Sequence, residues 1–189
     1  EGWLSGVSVE GEVFKSFDAD CVTLNGYMGS DAIKPFLDQC VARNKSAFVL
    51  AKTSNPSSVE LQDMVAGDRV VYTVMGDLIE RWGKDTAGKY GYNALGAVVG
   101  ATHPSVLKEL RRRLEHTFFL VPGYGAQGGT AADVRCAFDE LGRGAIVNAS
   151  RSIMCAWKKT GKDGMDYQEA ARAAAEQMRD ELREYITIL

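Results

Sequence analysis

The stretch Val121-Pro122-Gly123-Tyr124-Gly125-Ala126-Gln127-Gly128-Gly129-Thr130 carries four glycines in ten residues and follows the apolar run Phe118-Phe119-Leu120. Glycines there let the backbone turn tightly and approach a ligand closely, and a helix that follows would aim unpaired N–H groups back at it. An anion, phosphate above all, is the guest this chemistry suits. About two dozen residues on, Asn148-Ala149-Ser150-Arg151-Ser152 supplies a permanent charge. The Arg151 guanidinium is a fork that matches a phosphate dianion, and N–H groups near Ser150 and Arg151 would add contacts. The bland alternative for Arg151 is a surface salt bridge. Gln127 offers both a donor and an acceptor, and would otherwise be an exposed loop residue. Gly128 belongs to the same loop, and Pro122 stiffens its start. Lys52-Thr53-Ser54-Asn55-Pro56 adds Ser54, which is also good turn chemistry. Asn25, before Gly26, either lines a pocket or forms a turn. Lys52 would be a Schiff-base nucleophile only if desolvated. His103 and His116 flank a helix and receive no catalytic role.

The bulk properties narrow the classes of function. The 189 residues are 46% hydrophobic and 25% charged, with a net charge of −3, ordinary globular composition without electrostatic support for nucleic-acid or anionic-membrane binding. The Arg111-Arg112-Arg113 run reads as a solvated helix face. No apolar run approaches bilayer length and no signal peptide opens the chain, so a cytoplasmic location is expected. Cys21, Cys40, Cys136 and Cys155 include no C-x-x-C pair and read as reduced, mostly buried thiols. No metal or cofactor motif is present.

The elements that must position these residues alternate strand and helix. Residues Glu1 to Phe17 read as the end of a helix plus a connection, beginning abruptly. Cys21–Leu24 is a short strand, after which Asp31 caps a helix with Ile33, Phe36, Leu37, Cys40 and Val41 at helical spacing. Ala47–Ala51 is the second strand, and Ser57 with Glu60 has capping-box spacing. A long helical region, broken near Gly67-Asp68, continues with Val71, Val74, Met75, Leu78, Ile79 and Trp82 on one face. Lys84 to Asn93 is a loop. The third strand, Leu95–Val99, precedes a helix with Pro104 in its first turn and Val106, Leu107, Leu110 and Leu114 inward. The fourth, Thr117–Val121, enters the glycine loop, whose helix is capped by Thr130 and Asp133 and runs to Gly142. The fifth is Gly144–Asn148. A final helix starts near Asp166, with Ala170, Ala174, Met178, Leu182 and Ile186 as its stripe.

Strands alternating with helices predict a parallel sheet in an α/β domain spanning residues 1–189. Five strands suit an open doubly wound sheet, whereas a (β/α)8 TIM barrel needs eight. The polar residues nevertheless all follow C-terminal strand ends, and the last two strands carry the glycine loop and the arginine, the usual phosphate position in barrels.

Five pieces, in order, then carry a resemblance: Asp20-Cys21-Val22-Thr23-Leu24-Asn25-Gly26-Tyr27-Met28-Gly29, Lys52-Thr53-Ser54-Asn55-Pro56, Val98-Val99-Gly100-Ala101-Thr102, Val121 through Gly129, and Asn148 through Ser152. Together they resemble the strand-end motifs of orotidine 5′-phosphate decarboxylases, most closely the longer bacterial and protist branch. The resemblance implies a cofactor-free, dimeric (β/α)8 barrel that converts orotidine 5′-monophosphate to uridine 5′-monophosphate and CO₂ in pyrimidine synthesis. It implies phosphate binding by Arg151 and bridging of phosphate and pyrimidine by Gln127. It also implies a pyrimidine-amide contact by Ser54, with Pro122 near the base.

On that alignment the chain supplies strands four to eight, and strands one to three are absent. The family's Asp-x-Lys-x-x-Asp signature occurs nowhere in the sequence, and Asp31-Ala32-Ile33-Lys34 has the wrong spacing. No catalytic residue is therefore expected on this chain, and an N-terminal barrel segment is expected to complete it. Two other readings stay open: a different phosphate-handling barrel enzyme, or a non-catalytic phosphate- or nucleotide-binding fragment.

Overall fold

A computed structural model describes residues 2–15 and 17–187. Its elements in chain order are β1 (Val7–Val9), β2 (Glu12–Phe14), β3 (Cys21–Leu24), α1 (Ser30–Arg43), β4 (Ser46–Lys52), α2 (Val59–Gln62), β5 (Val65–Ala66), β6 (Arg69–Val70) and α3 (Val71–Gly83). They continue with β7 (Leu95–Val99), α4 (Pro104–Arg113), β8 (Phe119–Pro122), α5 (Ala131–Val134), β9 (Ala145–Asn148), α6 (Ser150–Met154) and α7 (Tyr167–Arg183). Five strands form one parallel sheet in the order β3-β4-β7-β8-β9. Spatial order follows chain order without a reversal. A doubly wound sheet reverses direction at a switch point, so the winding is of the barrel type. Right-handed crossovers that all step the same way place every helix on one face.

The side chains divide accordingly. Register aligns Val49, Ala97, Phe119 and Ala145 across the sheet, with Val121 and Val147 one step on. Val49, Ala97, Phe119 and Val121 are fully buried against helical Ile33, Leu37, Cys40, Ile79, Leu107 and Leu110. The opposite parity aligns Leu50, Val98, Leu120 and Ile146 on the other face, where Ile146 is 53% exposed. Gly96 sits on that face because a Cβ there would lie 2.6 Å from the Phe48 ring and 2.5 Å from the Phe118 carbonyl.

Several expectations need correction. Residues 2–15 form no helix: β1 and β2 are an antiparallel hairpin turning at Glu10 and Gly11, both at positive φ, as a two-residue turn of matching twist requires. The abrupt start at Glu1 lies outside the described residues. Asp31 lies in the first turn of α1, and Gly29 is the cap. Ser57 and Glu60 make no capping box, because Pro56 opens a 3-10 turn and neither cap position there uses its side chain. The break near Gly67 is the β5–β6 hairpin. In α3 the buried line is Thr73, Gly76, Ile79 and Gly83, flanked by the larger apolar residues, since Gly76 admits Leu110 of α4 and Leu114 just beyond its end at close range. The Thr130/Asp133 capping box forms, but α5 ends at Val134 rather than Gly142, giving way to a 3-10 turn at Arg135–Ala137. Cys40 is buried, whereas the other three thiols are half-buried; all four are free.

Arg111 is not part of a solvated face. Its guanidinium lies 4.1 Å from the Phe119 ring centre and donates to the carbonyls of Thr117 (2.7 Å), Gly144 (3.2 Å), Ala137 (3.5 Å) and Leu114. It ties the end of α4 to the starts of β8 and β9. Arg113 pairs with Asp77 on α3, and Arg112 remains exposed. Because the fork serves several carbonyls at once, Arg111→Lys should not substitute. Both Arg111→Ala and Arg111→Lys are expected to cost about 2–4 kcal/mol in urea unfolding, by leaving charge-bonded carbonyls unpaired; a loss under about 0.5 kcal/mol would contradict this role.

Candidate functional site

The C-terminal ends of β4, β7 and β8 are drawn together by backbone hydrogen bonds. Gly100 donates to the Lys52 carbonyl (2.7 Å) and Ala101 to that of Pro122 (2.8 Å). This approach needs glycine: a Cβ on Gly100 would stand 2.9 Å from the Ser54 Cα. Gly123, at φ 99°, makes the equivalent allowance, since a Cβ there would lie 2.9 Å from both Ser54 Cβ and Gln127 Oε1. Ser54 and Gln127, distant in sequence, thus converge on one face of Gly123.

The glycine loop closes on itself. Gly129 donates to Gly123 (3.1 Å), Gly125 to Gly129 (2.8 Å) and Gly128 to Gly125 (2.8 Å). Gly128 stands at φ 98° with open space around it. Buried Tyr124 anchors the loop by donating its hydroxyl to Glu181 of α7, and burial together with that carboxylate pushes its pKa up. Between the loop and the start of α6 lies a cleft of about 140 Å³ lined by Pro122, Gly123, Tyr124, Ala126, Gln127, Asn148, Ala149, Ser150 and Arg151. Arg151 and Gln127 are both exposed there.

The sequence candidates therefore separate. Pro122, Gln127, Ser150 and Arg151 share the cleft, Ser54 stands behind it at Gly123, and Gly128 shapes the loop. Asn25 does not line it: its Oδ1 accepts from the Tyr27 N–H at 3.0 Å and caps a 3-10 turn at the end of β3. At the start of α5 the capping box takes up the N–H groups of Thr130 and Asp133.

Lys52 is fully buried, yet it lies off the cleft. The β4–β7 register slips between Leu50 and Lys52, so Lys52 pairs with Val99 and turns to the helix-covered side. Its ammonium donates to Asp63 at 2.6 Å and Ser58 Oγ at 3.1 Å. Gln62 holds the next residue, accepting from the Thr53 N–H at 2.9 Å. Sequence spacing gave no sign of this pair, because the bulge reverses the parity. His103 is held below its usual pKa, first by burial and then by the Lys52 charge, against the pull of Asp63.

A wider cleft, of about 660 Å³, lies by Asp77, Glu80, Arg81, Lys84, Asp85 and His116. Asp77 there is taken by Arg69 and Arg113, and Glu80 by the His116 N–H and the Thr117 hydroxyl. With its charges of both signs and these internal pairings, it suits an anion less well than the Arg151 cleft. Among the described residues no group of three or more metal-ligating side chains occurs, and no helix is long and apolar enough to cross a membrane.

Barrel-type winding, with a small cleft carrying Arg151 at the C-terminal strand ends, defines a parallel α/β protein. The orotidine 5′-phosphate decarboxylase / HUMPS family matches residues 8–162, and the chain belongs to that family. It is 39% identical over 185 residues to an orotidine 5′-phosphate decarboxylase of Caldicellulosiruptor bescii, covering 98% of this chain and 60% of that relative. A Clostridium perfringens orotidine 5′-phosphate decarboxylase is 45% identical over 171 residues, covering 90% and 59%. The chain therefore spans about six-tenths of the length of these relatives. The structure of Leishmania donovani OMP decarboxylase superposes with a TM-score of 0.66 at 31% identity, over 87% of this chain and 58% of that one.

The Lys52–Asp63 pair gives a test of local structure. Asp63→Leu alone should cost about 3 kcal/mol by stranding a buried ammonium, whereas Lys52→Met with Asp63→Leu should recover most of that loss. Chemical denaturation of the three proteins measures both values, and additive losses would contradict the pairing.

Proposed function

We propose that this chain carries the phosphate- and pyrimidine-binding half of an orotidine 5′-phosphate decarboxylase, which converts orotidine 5′-monophosphate to uridine 5′-monophosphate. One observation carries the reading: Arg151 and Gln127 share a cleft under the glycine loop, and Ser54 meets Gln127 at Gly123. Arg151 grips the phosphate bidentately, Gln127 spans phosphate and pyrimidine, Ser54 contacts the pyrimidine amide, and Pro122 packs near the base.

The five parallel strands correspond in this proposal to strands four to eight of a (β/α)8 barrel. Its support is the one-way strand order and the exposure of Ile146 on the face away from the helices. No Asp-x-Lys-x-x-Asp occurs in the sequence, so the decarboxylating acid–lysine array is assigned to an N-terminal barrel segment. A cytoplasmic homodimer without cofactor completes the proposal.

Phosphate is remote from the scissile carboxylate. Its binding energy is realised through the loop, which closes, excludes water and orients the base toward the charged array. Tyr124 on Glu181 limits how far that loop moves from α7.

In an enzyme containing both halves, Arg151→Ala and Gln127→Ala are each expected to lower kcat/KM by about 2–4 kcal/mol of transition-state stabilisation. Unchanged steady-state kinetics for both would contradict the assignment. The 189-residue chain assayed by itself should show no decarboxylation of orotidine 5′-monophosphate; turnover would refute the placement of the catalytic groups.

A further inference from the structure

Gln62 is the last residue of α2, and its carboxamide holds Thr53 at two points. Its Oε1 accepts from the Thr53 N–H at 2.9 Å, and its Nε2 donates to Thr53 Oγ1 at 2.9 Å. A backbone N–H can only donate, so the orientation of the amide follows from that first bond. Thr53 comes directly after the end of β4 at Lys52, where the β4–β7 ladder stops, and the Gln62 oxygen takes the N–H that the ladder no longer pairs. The Thr53 hydroxyl in turn donates to Asn55 Oδ1 at 2.6 Å. Both residues flanking Ser54 are thereby tied to one side chain, Thr53 directly and Asn55 through the Thr53 hydroxyl. The Ser54 carbonyl accepts from Thr102 Oγ1 at 3.4 Å, while the Ser54 hydroxyl makes no hydrogen bond among the described residues and reaches solvent. The neighbouring Asp63 takes Lys52 at 2.6 Å, so two consecutive residues at the end of α2 hold two consecutive residues at the end of β4.

Resting on the reading of Ser54 as the pyrimidine contact beside the Arg151 cleft, we infer that Gln62 is a positioning residue for base recognition. It touches no ligand and acts through Ser54. A Thr-Ser-Asn-Pro turn has several local hydrogen-bonded arrangements open to it, because each of these short polar side chains can bond nearby backbone. The Gln62 carboxamide occupies the Thr53 N–H and hydroxyl together and so selects one arrangement, which leaves the Ser54 hydroxyl free for a ligand. Phosphate is held separately at Arg151, so the dependence on Gln62 belongs to the base and not to the phosphate.

The test is calorimetric titration of the protein and its Gln62→Leu, Thr53→Val, Ser54→Ala and Gln62→Leu/Ser54→Ala variants with inorganic phosphate, ribose 5-phosphate and uridine 5′-monophosphate. Gln62→Leu is expected to bind uridine 5′-monophosphate about tenfold more weakly, with the affinities for the other two ligands unchanged. In the Ser54→Ala background the same substitution should cost less than about twofold more, since the group it positions is already gone. A merely structural role would give additive losses in that background, or equal losses for all three ligands, and either result overturns the inference. Thr53→Val keeps the N–H bond but severs the link to Asn55, and it covers the case in which Gln62→Leu does not fold. It should weaken uridine 5′-monophosphate alone, and unaltered affinity would contradict the clasp. Unchanged binding by Gln62→Leu while Ser54→Ala weakens the nucleotide overturns the inference alone. Unchanged binding by Ser54→Ala, or no binding of any of the three by the unsubstituted protein, overturns the reading of the site and the inference with it.

Discussion

The structure depends on how closely three parallel strand ends approach one another. Gly100 and Gly123 leave no room for a Cβ beside Ser54, so β4, β7 and β8 come within direct backbone hydrogen-bonding distance at their C-terminal ends. The loop that follows β8 is consequently positioned by the sheet, and its own hydrogen bonds from Gly125, Gly128 and Gly129 fix its shape. Only after that is Gln127 folded back toward Ser54. A ligand contact assembled this way rests on backbone geometry, and rigid support of that kind is what a site needs to hold its contacts within a fraction of an ångström.

The winding sets the second level. Crossovers that all step the same way bury one parity of strand residues beneath helices and collect every C-terminal strand end on one rim. Residues at that rim face away from the helices when their parity matches Leu120 and Ile146, and toward them when it matches Val121 and Val147. Asn148 and Lys52 show the consequence from opposite sides. Asn148 keeps regular register and joins the cleft wall, whereas the slip after Leu50 carries Lys52 across to Asp63. One bulge thus decides that a buried lysine is an anchor for the neighbouring Ser54 turn instead of a lysine in the pocket.

Much of this was readable from the residues. Apolar runs such as Leu95–Val99 located the five parallel strands, and the helical spacing of Leu107, Leu110 and Leu114 located a packed face, because burial selects for those patterns. Pro122, Gln127, Ser150 and Arg151, singled out by strand-end chemistry and by the family resemblance, line one cleft. What escaped depended on distant partners. The hairpin near the N-terminus carries exposed Val7, Val9 and Val13, so no burial pattern announced it, and the Glu10-Gly11 turn was the available signal. Arg111 looked like solvated charge because its carbonyl partners at Thr117, Ala137 and Gly144 are brought to it by folding. Asn148 stood inside a recognised motif, but the burial of its Oδ1 without a hydrogen-bond partner among the described residues is visible only in three dimensions.

In the proposed function the Arg151 cleft receives the phosphate of a pyrimidine nucleotide. The most direct measurement is a crystal structure of the protein with uridine 5′-monophosphate. The phosphate is expected within about 3 Å of the Arg151 guanidinium, the distance of a charge-assisted hydrogen bond, beneath the 123–129 loop, with Gln127 reaching toward the pyrimidine. Phosphate bound elsewhere on the molecule, with Arg151 free in solvent, would contradict it.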